Sequence, residues 1–222
     1  MSKEVAKHIE LWAAQPDATT EQIRKACELA ASLGCYGVCV NGSRVELAAS
    51  LLENSDLKLT ALIGYPFGAA DTDVKRFETE TAIDFGAQEI EFVINAGLLK
   101  DGNLERLLRE MRDVTEAAEE RQVKIAVEAG VLAAEELKAV AGLALDSGAH
   151  FICLGTGIGI GAPPSPAIVA SLREVVGQKF GIKVSGPISS LAEAEALLSA
   201  GATRLGAPPR SGLIQALSPA KS

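Results

Sequence analysis

A chain of 222 residues with 48% hydrophobic content is long enough to bury one α/β core and short for two domains. Its formal charge of -8 excludes a general nucleic-acid binder, which needs clustered Lys and Arg to neutralise phosphates. No apolar run reaches the roughly 18 residues that span a bilayer, and the first residues lack a signal-like apolar segment, so one cytoplasmic domain over 1–222 without membrane contact is expected.

Short apolar runs at 8–12, 35–41, 57–63, 88–94, 123–128, 150–155, 181–185 and 202–206 predict eight strands. Amphipathic stretches at 19–33, 43–54, 72–85, 103–121, 133–147, 165–176 and 190–200 predict the helices between them. Thr19 with Gln22 reads as a capping box, and Ser165 before Pro166 as an N-cap with proline in the first turn. A helix end, Gly-Ala and a short strand recur at 84–94, 146–154 and 199–207, where each glycine suits a left-handed turn past a helix. Strand and helix alternating to eight predict an α/β fold, a single-domain TIM (βα)8 barrel, with 219–222 as a frayed end.

The cysteines, Cys27, Cys35, Cys39 and Cys153, show no paired metal-ligand spacing, so reduced thiols and no metal are expected. Cys35 and Cys39 lie four apart on one predicted strand and should share a buried face. In a TIM barrel the reacting groups come from the C-terminal ends of strands. That rule selects Asn41, the segments 64–68, 95–97, 153–161, 183–188 and 206–212, and Glu128, a candidate pocket carboxylate.

The segments IGYPFG (63–68), GAQEIEFVINAG (86–97), KIAVEAGVL (124–132), GAHFICLGTG (148–157) and GIKVSG (181–186) follow one another in a familiar order. In them the chain resembles the deoxyribose-phosphate aldolase family. The resemblance implies a class I aldolase without metal or cofactor, in which a strand-six lysine forms an imine with a carbonyl substrate. A strand-seven lysine and a strand-four aspartate assist it, and a homodimer is implied as well. Here the strand-six position holds Cys153, the strand-seven lysine is Lys183, the relay position holds Glu91, and Glu10, Leu11 and Trp12 stand where the family has Asp-His-Thr. For the substrate phosphate the resemblance points to Gly155, Thr156, Gly157, Ser185, Gly186 and Gly206, with Arg210 as a charged candidate beside Pro208 and Pro209, which carry no N–H.

An ordinary lysine is neutral in only about one molecule in 2,500 at pH 7. With a cysteine at 153, no neighbouring cation is expected to depress Lys183, and Glu91 would hold it protonated, so an ion pair is favoured over a nucleophile. Cys153 reads as an inert buried thiol, because His8 lies near strand one and His150 toward the opposite end of strand six. Trp12, Tyr65 and Phe67 read as packing residues near the strand ends. Three functions stay open. The first is a diverged member without ordinary aldolase activity that keeps a pocket for a small-molecule ligand, with a phosphate group as one option. The second is a carbon-carbon lyase that has moved its imine to Lys183. The third is acid-base chemistry by Glu91, Lys183 and Glu128.

Overall fold

Eight strands pair in parallel in chain order and the last closes on the first. They are β1 (Ile9–Trp12), β2 (Gly37–Asn41), β3 (Lys58–Ile63), β4 (Glu89–Val93), β5 (Gln122–Val127), β6 (Phe151–Leu154), β7 (Gly181–Ser185) and β8 (Arg204–Ala207). The computed structural model describes residues 2–158 and 164–218, so Gly159, Gly161 and the expected frayed end at 219–222 lie outside the described residues. The expected helices form as α2 (Thr20–Leu33), α3 (Val45–Leu52), α4 (Thr72–Asp84), α6 (Leu104–Ala117), α7 (Ala134–Asp146), α8 (Pro166–Val176) and α9 (Leu191–Ser199). The architecture is a single-domain TIM barrel.

Local signals act where they were read. Thr19 Oγ1 accepts the Gln22 N–H while the Gln22 side chain accepts the Thr19 N–H, closing the capping box. Ser165 caps α8 ahead of Pro166. Gly148 (φ 82°) and Gly201 (φ 111°) take the left-handed conformation that ends α7 and α9. Three further helices carry no periodicity signal in the sequence: α1 (Ser2–Ala6), α5 (Ala96–Lys100) and α10 (Gly212–Leu217). Each is five or six residues long, too short for a 3.6-residue period to repeat.

The expectation for Cys35 and Cys39 is corrected. Cys35 precedes β2, where its N–H bonds to Ala30 O behind the left-handed Gly34. It therefore packs in the layer between strands and helices, whereas Cys39 sits in a separate cluster with Trp12, Ala14 and Leu62.

The strands sort their side chains with period two. Ile9, Leu11, Val38, Val40, Ile90, Phe92, Ile125, Ile152, Ile182 and Val184 belong to the apolar layer under the helices. The alternate positions, facing the barrel axis, carry Glu10, Thr60, Glu89, Glu91, Lys124, Cys153, Lys183 and Ser185, all buried. TIM-barrel interiors are filled mainly by branched apolar side chains. A charged interior needs its charges matched, because an unpaired ion in low dielectric costs several kcal/mol.

Candidate active site

The interior charges match one for one along a chain of contacts. Lys124 Nζ lies 2.6 Å from Glu89 Oε2 and 2.7 Å from Glu10 Oε1. Lys183 Nζ lies 2.6 Å from Glu10 Oε2 and 2.6 Å from Glu91 Oε2. Arg204 Nε approaches Glu10 Oε1 at 3.4 Å, and its guanidinium lies over the Tyr36 ring. Three carboxylates, Glu10, Glu89 and Glu91, thus face three cations, Lys124, Lys183 and Arg204. Glu10 is the hub, since it alone touches all three cations.

Register explains the arrangement. Glu91 pairs with Lys124 across β4 and β5, and Cys153 with Lys183 across β6 and β7. Glu10 pairs with Gly206 across β1 and β8. A Cβ at Gly206 would stand 2.4 Å from Ser185 Oγ and 3.1 Å from Lys183 Cε. Glycine there leaves the room through which the lysine stem reaches the hub.

Lys183 uses all its donors. Its third contact is Cys39 Sγ at 3.3 Å, beside the two carboxylates. Burial alone would lower its pKa, but the neighbouring carboxylates reverse that and hold the ammonium well above the ordinary lysine range. Burial would likewise raise Glu10, yet Lys124 and Lys183 keep it far below the usual carboxylate range. Lys124 is pushed up to about 12 because Glu10 and Glu89 outweigh its burial and the repulsion of Lys183. The expectation that Lys183 has no cationic neighbour is corrected by Lys124, although Glu10 stands between the two and cancels much of its influence. Glu10, Cys39 and Glu91 bring their donor atoms within 4.8 Å of one another, as a metal set would. The Lys183 ammonium bonds to all three, so it is itself the cation of that cluster.

Cys153 Sγ lies 3.3 Å from Ser185 Oγ, 3.5 Å from the Gly155 carbonyl and 3.6 Å from Glu91 Oε1. Burial, reinforced by Glu91, pushes its thiol well above the ordinary range, so it is neither a thiolate nor a base at neutral pH. His150 is exposed and accepts the Val123 N–H at 3.1 Å, away from this end of β6.

Above the ion layer, toward the C-terminal ends of the strands, the barrel is covered. Trp12 packs with Ala14, Cys39 and Leu62, and Tyr65 bridges that cluster to Val93, Ala126 and Cys153. The Tyr65 hydroxyl donates to the Thr156 carbonyl. Thr156 in turn donates from Oγ1 to Glu128 at 2.6 Å. The loop carrying Tyr65 is fixed from behind, since Glu78 accepts the Gly64 N–H at 2.7 Å and Lys75 packs under Gly64. Lys75 also forms a buried ion pair with Glu110 at 3.1 Å.

The structure therefore brings Lys183, Glu91, Cys153 and Ser185 together and places the expected anion-binding residues around them unevenly. Gly155, Thr156, Gly186 and Gly206 are buried, Gly157 is half-buried, and Arg210 is exposed in the turn after β8. The space beside Ser185 and Gly186 measures about 10 Å³, that of about one water. Phe67, read as a packing residue, is 73% exposed. Sequence reading missed Lys124, Glu89, Thr60 and Arg204. Their signal is present in the strands, where E-I-E at 89–91, V-K-I at 123–125 and I-K-V at 182–184 put charges at every second position of apolar runs.

No family model matches the chain. Curated relatives do. The chain is 42% identical over 204 residues to a deoxyribose-phosphate aldolase of Alkaliphilus oremlandii, covering 91% of each chain. It is 42% identical over 209 residues to one of Halalkalibacterium halodurans, covering 93% of each. Among solved structures it superposes on the aldolase QR15 with TM-score 0.90 at 29% identity, covering 96% of this chain and 94% of that one. A tetrameric deoxyribose phosphate aldolase from Aeropyrum pernix gives 0.88 at 25% identity, covering 98% and 91%.

Proposed function

The chain belongs to the deoxyribose-phosphate aldolase family, and from that premise we propose that it is a diverged member without ordinary aldolase activity, its barrel kept for a small-molecule ligand. The observation that carries this reading is the state of Lys183. Imine formation needs a lone pair on the amine nitrogen, which attacks the carbonyl carbon before water leaves. At Lys183 every N–H is engaged by Glu10, Glu91 and Cys39, and the proton that would have to depart is the one these carboxylates bind. Cys153, beside it, offers a neutral thiol.

The test is direct. The protein is incubated with 2-deoxyribose 5-phosphate or acetaldehyde in the presence of borohydride, which reduces an imine to a stable secondary amine, and is then mapped by mass spectrometry. No adduct at Lys183 and no turnover are expected. A mapped adduct at Lys183 would overturn this reading, and turnover with it would establish the relocated-lysine lyase in its place.

Assembly into a homo-oligomer is supported by the tetramer of the Aeropyrum pernix relative and by the apolar side chains that the region of α4 leaves exposed. These are Val74 and Phe77, three apart on one face of α4, and Phe67 in the loop before it, at 56%, 69% and 73%. Sedimentation velocity at micromolar concentration should give a multiple of 23.1 kDa; a single species of monomer mass rules it out.

A further inference from the structure

Trp12 occupies the end of β1 where its side chain, two residues beyond Glu10, rises from the ion layer into the layer above it. It is the only tryptophan of the chain and is 5% exposed. Its indole packs on Cys39, whose thiol bonds to Lys183. The backbone of Gly157 also lies against the ring, so close that a Cβ there would stand 3.1 Å from Cε2 and 3.3 Å from Cδ2. Gly157 takes φ 79°, a conformation that lets a bare backbone lie against the ring. Tyr65 joins the cluster of the indole and Leu62 to that of Val93, Ala126 and Cys153, and Lys183 and Cys153 are 0% exposed.

We propose that Trp12 is the specificity-determining residue of this barrel: it closes the route by which a phosphosugar-sized carbonyl compound reaches positions 153 and 183, whatever chemistry those positions hold. The proposal rests on the reading above in taking these positions as the floor of the ligand site, but it concerns access and not reactivity. A two-carbon aldehyde needs only a small gap beside the ring, whereas a sugar phosphate needs the volume of the indole itself. The ligand class that the indole shuts out is thus the phosphosugar. Loss of the strand-six lysine and closure by Trp12 are two separate departures from the family pattern.

Two measurements on the full chain test it. In the first, the four thiols are alkylated with iodoacetamide and quantified site by site. Trp12→Ala should speed modification of Cys39 and Cys153, which lie under the indole layer, at least tenfold while leaving Cys27 and Cys35, buried outside the barrel, unchanged. Equal acceleration at all four sites would mean general loosening, and no acceleration would mean no roof; either result overturns the proposal. If Trp12→Ala does not fold, Trp12→Leu carries the same comparison. In the second, Cys153→Lys and Cys153→Lys with Trp12→Ala are each trapped by borohydride with acetaldehyde and with 2-deoxyribose 5-phosphate. The ratio of phosphosugar adduct to acetaldehyde adduct should rise at least tenfold when Trp12 is removed. An unchanged ratio sinks the proposal and leaves the reading of Lys183 untouched; an acetaldehyde adduct at Lys183 in the unsubstituted chain sinks that reading and leaves the proposal standing, whereas a 2-deoxyribose 5-phosphate adduct there sinks both.

Discussion

Glu10→Ala unfolds at a much lower urea concentration than the parent chain, with a loss on the order of 3–5 kcal/mol, the range for removing one partner of a buried ion pair. The cost arises from what stays behind. Lys124, Lys183 and Arg204 all touch Glu10, and after the substitution three cations share the two remaining carboxylates, Glu89 and Glu91. Lys124 and Lys183, each fully buried, are then driven toward deprotonation or toward water. The one methylene lost with Glu10 is the lesser part, about 0.8 kcal/mol for a buried CH2. Glu4→Ala is the control, because the Glu4–Lys7 pair is 69% and 64% exposed and exposed pairs contribute little. Urea titration followed by circular dichroism reads both variants. A Glu10→Ala midpoint that coincides with that of Glu4→Ala would show that the interior charges are not coupled as their distances require.

The barrel was legible because each of its parts is announced locally. A capping box at Thr19, an N-cap at Ser165 and a glycine after each of several helices are written within four residues of the structure they specify. The apolar half of each strand is likewise local. The interior network is not. Lys183 and Glu10 are 173 residues apart, and Lys183 and Glu91 are 92 apart, so their meeting depends on closure of the sheet and on register. Period two shows that Glu89 and Glu91 share one face of β4, yet it cannot say that this face is the inner one or that Lys124 of β5 joins it, since both faces of a barrel strand are buried. Trp12 shows the same limit. Its position at the end of β1 was readable, but its place as cover over Lys183 depends on Gly157, 145 residues later by their numbers in the chain.

The same network sets how stability follows pH. Glu10 has a folded-state pKa far below its ordinary value of 4.5, because Lys124 and Lys183 overcome the effect of burial. Below pH 4.5 the unfolded chain therefore binds more protons than the native one, and stability falls as pH falls. Above 4.5 the contribution of Glu10 is complete. At the other end the buried thiols act first. Burial raises Cys27 and Cys35 from 9.0 to about 11, so the unfolded state loses those protons before the native state does, and stability declines from about pH 9. Lys124, raised from 10.5 to about 12, and Lys183, also raised, extend that decline, since their contribution is present below 10.5 and lost above it. The urea midpoint should hence hold a plateau between about pH 4.5 and 9 with a limb on each side. Glu10→Gln removes the carboxylate whose titration shapes the acid limb, and that limb should flatten while the alkaline one persists. If the variant keeps the parental acid limb, the low-pH loss originates in other carboxylates, and the hub assigned to Glu10 is wrong.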